Sequence, residues 1–559
     1  MNAAVGKRRT VVLLALVVAV VAAAALVLDR FHAGLDLTSS RRYSLSTISR
    51  NLYKDLPDHL RITYYISPEL EARHPGPREV EDFLRKYEAA GRGKISVATV
   101  DPKDRTGAIE GLGLQPQRMQ VVENNQARVV VVYSGIVVQY RDRTEAIPFV
   151  LGLDTLEYDL VKAVNRAVSG KEAIAAVIVG DQDKSWQNDF RSLADTLAAA
   201  GWKAQAVAPG DEIPDAAQVL LVLGNADLDD YAAYRIDAWL AKGGAAVLAL
   251  RGVRINTAYG LQAAPLKQDA VLRELAAYGV TLAPKLVLDT SSRILPFQER
   301  NASGGSSVRY IKYPHWIVAR PEDSNRKNPM TAHFAGLDLM WASPLTLAAP
   351  AGVTAEELVK TTKTAWLQTK DFAIAPEDEM AYDREEPATK GQYLLAASLS
   401  GKLPIAFAGR PAPARQGAKP LPPLPAEASP SHLVVVGSAD FATDLMNLSD
   451  SGYNAGFLAN AVEWAAYGPD LTALKSRGAR EQSLSKVADP VKRSLLSLFV
   501  MGLNIVVIPG GLVVFGLVRS RRRKALARLH VEPAGQAAVV AADAPPPDDA
   551  GLDGKGDGK

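Results

Sequence analysis

Two apolar segments, each with basic residues on its outer flank, constrain this chain more than any other feature. The first, Thr10–Leu28, runs 19 residues without a charge and follows Lys7-Arg8-Arg9. The second, Leu495–Val518, precedes Arg519, Arg521, Arg522, Arg523 and Lys524. A helix rises ~1.5 Å per residue, so about 20 residues cross a ~30 Å hydrocarbon core, and both runs are long enough to do so. Basic flanks stay on the cytoplasmic side, so the expected topology puts both ends inside and everything between the segments outside. Ala23-Ala24-Ala25 also offers a signal-cleavage site, but the apolar run continues through Leu26-Val27-Leu28. That is longer than a usual signal core and favours an uncleaved anchor.

The expected fold class is therefore α/β, in a two-span membrane-anchored protein with a large extracytoplasmic ectodomain. A cytoplasmic stretch at 1–9 precedes a transmembrane helix at 10–28, and a first α/β domain is expected at 29–170. A second α/β domain at 171–470 follows, then a linker at 471–494 and a transmembrane helix at 495–518. The basic stretch and a tail rich in Ala, Pro, Asp and Gly complete the chain at 519–559, and the tail reads as disordered. Two or three domains suit 559 residues, because single cores rarely grow past ~250–300 residues.

Composition excludes several chemistries. The net charge is only +3, with much of the basic excess at the two ends, so nothing argues for a nucleic-acid partner. There is no cysteine. Disulfides, thiolate metal sites, Cys-ligated clusters and a Cys nucleophile are all ruled out.

Along the chain, a helix is expected at Ser46–Leu56, a strand at Leu60–Ile66, a charged helix at about Pro77–Ala90 and a strand at Lys94–Val100. Gln120–Val122, Val129–Tyr133 and Ile136–Tyr140 read as paired strands. A helix at about Thr155–Val168 stops at Gly170. Strand and helix then alternate: Ile174–Val179, a helix with Phe190, Leu193, Ala194, Leu197 and Ala198 on one face, Gln218–Leu223, a helix at Tyr231–Leu240, and Ala245–Leu250. Continuous apolar strands in that order argue for a parallel sheet covered on both faces. From Asp289 to Lys390 the pattern weakens to loops and short elements around Tyr313-Pro314 and Trp341-Ala342-Ser343-Pro344. Residues 411–430 hold seven prolines and read as an extended, mobile loop. Leu433–Val436 returns as a buried strand, and an amphipathic helix carrying Phe457, Leu458, Val462 and Trp464 follows.

Phosphate loops of the G-x-x-x-x-G-K-[ST] type and the G-x-S-x-G elbow are both missing. The seven histidines are scattered without ligand spacing and read as surface or capping residues, so no metal and no cofactor is expected. One constellation remains. Ligands of open parallel sheets bind beyond the carboxyl ends of the strands, and here those ends carry Asp181, Asn225, Arg251 and Asp440. If the four strands share one sheet, these side chains line a single rim that could hold a ligand or dock a partner. Such residues also cap helices and make turns, which is the simpler reading.

Asp36-Leu37-Thr38 with Arg42-Tyr43-Ser44-Leu45-Ser46, then the strand Ile62–Ile66, resemble the auxiliary subunit of a class of ABC transporters, the gliding-motility-associated Gld-G type. So do Leu433–Val436 with Gly437-Ser438-Ala439-Asp440-Phe441, and Asn454 through Asn460 to Glu463-Trp464. The resemblance implies a non-enzymatic partner of a separate permease and a separate cytoplasmic ATPase, in a bacterial inner membrane with the bulk of the chain periplasmic. It also implies a glutamine-amidotransferase-like middle domain, here without the Cys nucleophile of that enzyme class. Leu37, Tyr43 and Leu45 become candidate permease contacts, with packing into their own domain as the other reading. A membrane-tethered scaffold or sensor with no transporter shares the same topology. A hydrolase would need an acid–base pair, and Asp181 with Asp440 is the pairing the sequence offers.

Overall fold

The computed structural model describes residues 44–478, apart from 55, 104–105, 124–125, 258–259, 267–268, 301–305, 376–381, 383–385 and 450, together with 490–502, 510 and 514–521. The chain divides into two units, Met1–Arg480 and Glu481–Lys559.

The first domain of the larger unit opens with helix α1 (Thr47–Lys54), β1 (Leu60–Ile66), α2 (Gly76–Ala90) and β2 (Ile95–Val100). It continues with β3 (Gln117–Glu123), β4 (Gln126–Val132), β5 (Ser134–Tyr140), β6 (Arg143–Ile147) and α3 (Leu156–Ser169). A four-stranded sheet runs in the order β2-β1-β5-β6, with β1 parallel to β2 and antiparallel to β5. Among the described residues β3 and β4 pair only with each other, in a separate hairpin. Helix α3 ends where Gly170 takes a left-handed conformation (φ 64°), the expected stop.

The second domain is built on a nine-stranded mixed sheet. Its parallel half comprises β7 (Ile174–Val179), β8 (Lys203–Ala206), β9 (Ala217–Leu223) and β10 (Ala245–Ala249), with α4 (Arg191–Ala199) and α5 (Asp230–Ala241) as crossovers. After α6 (Ala270–Ala277) come β11 (Val280–Leu282), β12 (Ser292–Arg300), β13 (Ser306–Ala319) and β14 (Leu337–Met340). Then follow β15 (Leu345–Leu347), β16 (Val353–Lys360), β17 (Leu394–Lys402), β18 (Pro430–Val436) and α7 (Tyr453–Gly478). The sheet runs β11-β15-β17-β18-β10-β9-β7-β8, with β16 on β17. β18 lies parallel to β10, and the rest joins antiparallel beyond it. Val and Leu side chains from both faces of the parallel strands are fully buried in two cores. Each contributes ~1.5–3 kcal/mol, so this half holds the unit together.

Three expectations need correction. The segment 289–390 is not mainly loops: it supplies the three-stranded sheet of β12, β13 and β14 and two strands of the main sheet, β15 and β16. The proline-rich stretch is extended as expected, but it is pinned across α5. The Tyr231 and Tyr234 hydroxyls donate to the Lys419 and Pro422 carbonyls (both 2.8 Å), and Arg415 Nε donates to Asp229 (2.9 Å). The two-span architecture is the third. Residues 10–28 lie outside the described residues. In the smaller unit the described part of the second apolar run is helical, in α8 (Pro490–Gly502) and again at 514–521. Among the described residues no helix is long and apolar enough to cross a membrane. The expected linker is also partly helical, since α7 runs to Gly478, broken at Gly468-Pro469 where Gly468 leaves helical geometry.

The domains are clamped by α3 and α7. Lys162 Nζ and Lys475 Nζ reach the two oxygens of the buried Glu463 carboxylate at 2.8 and 3.0 Å, beside a contact of Tyr158 and Val161 with Leu471 and Leu474. Burial pushes the Glu463 carboxyl up, but Lys162 and then Lys475 outweigh it and hold it below the usual glutamate value. A depressed carboxylate stabilises fully above its unfolded value of ~4.3, and the contribution fades as pH falls through the folded value. Glu463→Gln should therefore cost about 3 kcal/mol at neutral pH, since it leaves partly buried lysines without their counter-charge. In urea unfolding, the gap to the native chain should close as pH drops below ~4. A gap unchanged between neutral and acid pH would contradict the clamp.

Candidate functional site

The parallel strands follow the spatial order β8-β7-β9-β10-β18, the 2-1-3-4-5 pattern of a doubly wound sheet. Such a sheet has its switch point between the first and third strands, where crossovers leave to opposite sides and a crevice normally opens. Here those strands are β7 and β9, and their ends carry Gly180-Asp181 and Gly224-Asn225. The crevice is filled. A Cβ on Gly180 would strike the Gly224 carbonyl, and one on Gly224 would strike the Asp181 carboxylate. Gly224 also needs its left-handed backbone (φ 84°) to turn that tightly.

The four rim residues expected from the sequence do come together. Arg251 Nη2 lies 2.8 Å from Asp181 Oδ2 and 3.2 Å from Asp440 Oδ1. Asn225 ties the ends of β9 and β10 reciprocally: the Arg251 backbone N–H donates to its Oδ1 (2.8 Å), and its Nδ2 donates back to the Arg251 carbonyl (3.1 Å). The Ala226 N–H donates to Asp181 Oδ1 (2.9 Å). Burial is nearly complete, at 3% exposure for Asp181, 4% for Arg251 and for Asp440, and none for Asn225.

Two further parts were missed from the sequence. Asp269 accepts from Asn225 Nδ2 (2.5 Å) while capping α6 through the Leu272 N–H (2.6 Å). The other part is a roof formed by residues 341–344. The Ser343 hydroxyl accepts from the Gly252 N–H (3.0 Å), and the Ser343 N–H donates to the Gly437 carbonyl (2.6 Å). Trp341 takes a left-handed conformation (φ 51°) to make this turn, and its indole N–H donates to the Tyr313 hydroxyl (2.9 Å). The signal available for the roof was Trp341-Ala342-Ser343-Pro344 itself, which reads only as a turn without its partners.

Burial alone would lower the Arg251 guanidinium, but Asp440 and Asp181 outweigh it and keep it firmly charged. Burial also raises Asp181 above the usual aspartate value, with Arg251 pulling it part of the way back. One guanidinium thus bridges two carboxylates in a dry environment. An acid–base pair needs open carboxylates within reach of a substrate proton, and these are capped by Arg251 instead. A cleft of about 680 Å³ opens elsewhere, between Glu145 and Arg166 of the first domain and Trp186, Asp195 and Lys203 of the second. His315 also departs from expectation. It is fully buried between Tyr313 and Tyr382 beside Gln368, and burial brings it down to about 4, so it stays neutral.

Of the candidate permease contacts, Leu37 and Tyr43 lie outside the described residues. Leu45 is buried in the core of its own domain.

The family profile of an ABC-type uncharacterized transport system matches residues 174–464, more than half of the chain. The chain belongs to that family. Its matched stretch begins at β7 and ends in α7, so it contains the whole Asp181–Arg251–Asp440 bridge. A domain of unknown function, DUF7088, matches residues 39–139 in the first domain. Among curated proteins, an uncharacterized protein of Borreliella burgdorferi is 21% identical over 499 residues, covering 88% of this chain and 94% of that one. Among solved structures, a ThuA-like protein from Parabacteroides merdae is similar at 10% identity with a TM-score of 0.25, covering 53% of this chain and 91% of that one. A β-galactosidase from Rahnella sp. R3 is similar at 13% identity with a TM-score of 0.21, covering 54% and 35%. Likeness at those scores carries no argument about fold or activity.

If the bridge is structural, removing its centre is costly. Arg251→Met should lower the unfolding free energy by about 3–5 kcal/mol, because two buried carboxylates lose their counter-charge. Adding Asp181→Asn and Asp440→Asn should recover part of the loss. Denaturant unfolding of the full chain measures both, and a cost below about 1 kcal/mol for Arg251→Met, the range of an exposed pair, would refute the bridge.

Proposed function

We propose that this chain is a non-catalytic auxiliary subunit of an ABC transporter, of the Gld-G type, working with a separate permease and a separate ATPase. The observation that carries the reading is family membership joined to a sealed rim. The edge at which a doubly wound sheet normally holds its ligand is closed by Arg251 and roofed by Ser343. The sequence also lacks a phosphate loop, so ATP hydrolysis by that route would fall to another subunit. It lacks the cysteine that amidotransferase chemistry would require. The proposal places the bulk of the chain on the periplasmic side of a bacterial inner membrane, beside the permease.

Affinity capture of the tagged full chain from its native membrane in mild detergent, followed by mass spectrometry, tests this reading. It should recover a polytopic permease together with an ATPase bearing Walker motifs. Recovery of neither, under conditions that keep known transporters intact, would overturn the reading.

A further inference from the structure

We infer that the β12–β13 ribbon is a docking surface for an anionic lipid headgroup layer. Alternation normally gives a two-stranded ribbon one apolar and one polar face. Here both faces are apolar. Leu295 and Tyr313 face inward onto the aromatic core of Trp316, Trp341 and Trp366, and Ile311, opposite Leu295, is buried as well. The outward face carries Ile294 (62% exposed), Val308 (53%) and Tyr310 (73%), with Pro296 and Lys312 exposed beside them. The register sets these in adjacent rungs, Ile294 opposite Lys312, Pro296 opposite Tyr310 and Gln298 opposite Val308. The exposed side chains therefore form one continuous patch.

Three observations select the occupant. Pro296 sits mid-strand in β12, whose other edge has no strand partner among the described residues. Proline has no N–H to offer, so a partner strand cannot add regularly there, and contact must be made through the face. The patch is also small. Same-face rungs lie ~7 Å apart on strands ~4.8 Å apart, giving a footprint on the order of 200 Å², against ~800 Å² per partner for a stable protein interface. Finally, the ribbon is basic: Arg293, Arg300, Arg309 and Lys312 stand against Glu299. Arg293 is held by Asp338 (2.7 Å), while Lys312 is exposed at the patch, on the same face as Val308 and Tyr310. A tyrosine and aliphatic side chains beside a lysine are the groups that settle at an anionic bilayer interface, the apolar ones among the headgroups and the cation on them.

The absence of cysteine gives a clean test. The full chain with Val308→Cys carries an environment-sensitive fluorophore on the ribbon, and Glu427→Cys, at a highly exposed side chain, serves as control. With vesicles of about one-third phosphatidylserine, the label at 308 should shift to the blue, with apparent affinity on the order of tenfold above that for pure phosphatidylcholine and weakened by salt. The label at 427 should not respond. Ile294→Asp with Tyr310→Asp should abolish the shift at 308, and Lys312→Gln should weaken it. No response at 308, or an equal response to neutral vesicles, overturns the inference. So does a response that appears only when co-purified protein partners are added, which would make the ribbon a protein contact. The outcome is independent of whether the chain serves a transporter.

Discussion

A single guanidinium, that of Arg251, holds the carboxyl edge of the central sheet closed. It lies at the end of β10 and bridges the loop after β7, through Asp181, to the loop after β18, through Asp440. Transferring three charged groups out of water is expensive, and the attraction between them offsets that expense only when geometry is good and the remaining polar atoms are satisfied. The surrounding sequence provides most of this, leaving the buried Arg251 Nε without a hydrogen-bond partner among the described residues. Asn225, Asp269, the Ala226 N–H and the Ser343 roof make the nearby hydrogen bonds, and glycines at 180, 224, 252 and 437 let the loops approach closely enough to exclude solvent. The result is a sheet whose usual ligand edge has become a buried joint.

The same chain joins its two domains through a second buried charge cluster. The joint lies inside the family-matched stretch, and α7, at the end of that stretch, carries the clamp to the first domain. Glu463 sits between Lys162 and Lys475 with little exposure, so the two domains share one buried charge cluster and one small apolar contact through Tyr158 and Leu471. Surfaces that remain exposed, such as the β12–β13 ribbon, are then held in a fixed relation to the sheet.

Much of the parallel half was legible from the sequence. Its central strands are short apolar runs rich in Val, Leu, Ile and Ala, two of them closed by Gly180-Asp181 and Gly224-Asn225, and the strand-end rule then located Asp181, Asn225, Arg251 and Asp440. The antiparallel half was not legible. β16 reads Val-Thr-Ala-Glu-Glu-Leu-Val-Lys, with two glutamates that suit a helix as well as an edge strand, and only its pairing with β17 decides. Asp269 looks like a plain helix cap, because its second oxygen meets Asn225 only after folding. Lys162 and Glu463 are 301 residues apart, and no local pattern announces such a pair.

The account stands most directly on the rim being closed in solution. Native-state hydrogen exchange reads this at the amides of Ala226, Arg251, Gly252 and Ser343, each of which donates across the rim. A sealed joint predicts that these amides exchange only with the buried strands, with the same denaturant dependence as Val222 and Leu248. Exchange at the rim through local opening, while the strands stay protected, would show an accessible crevice and contradict the account.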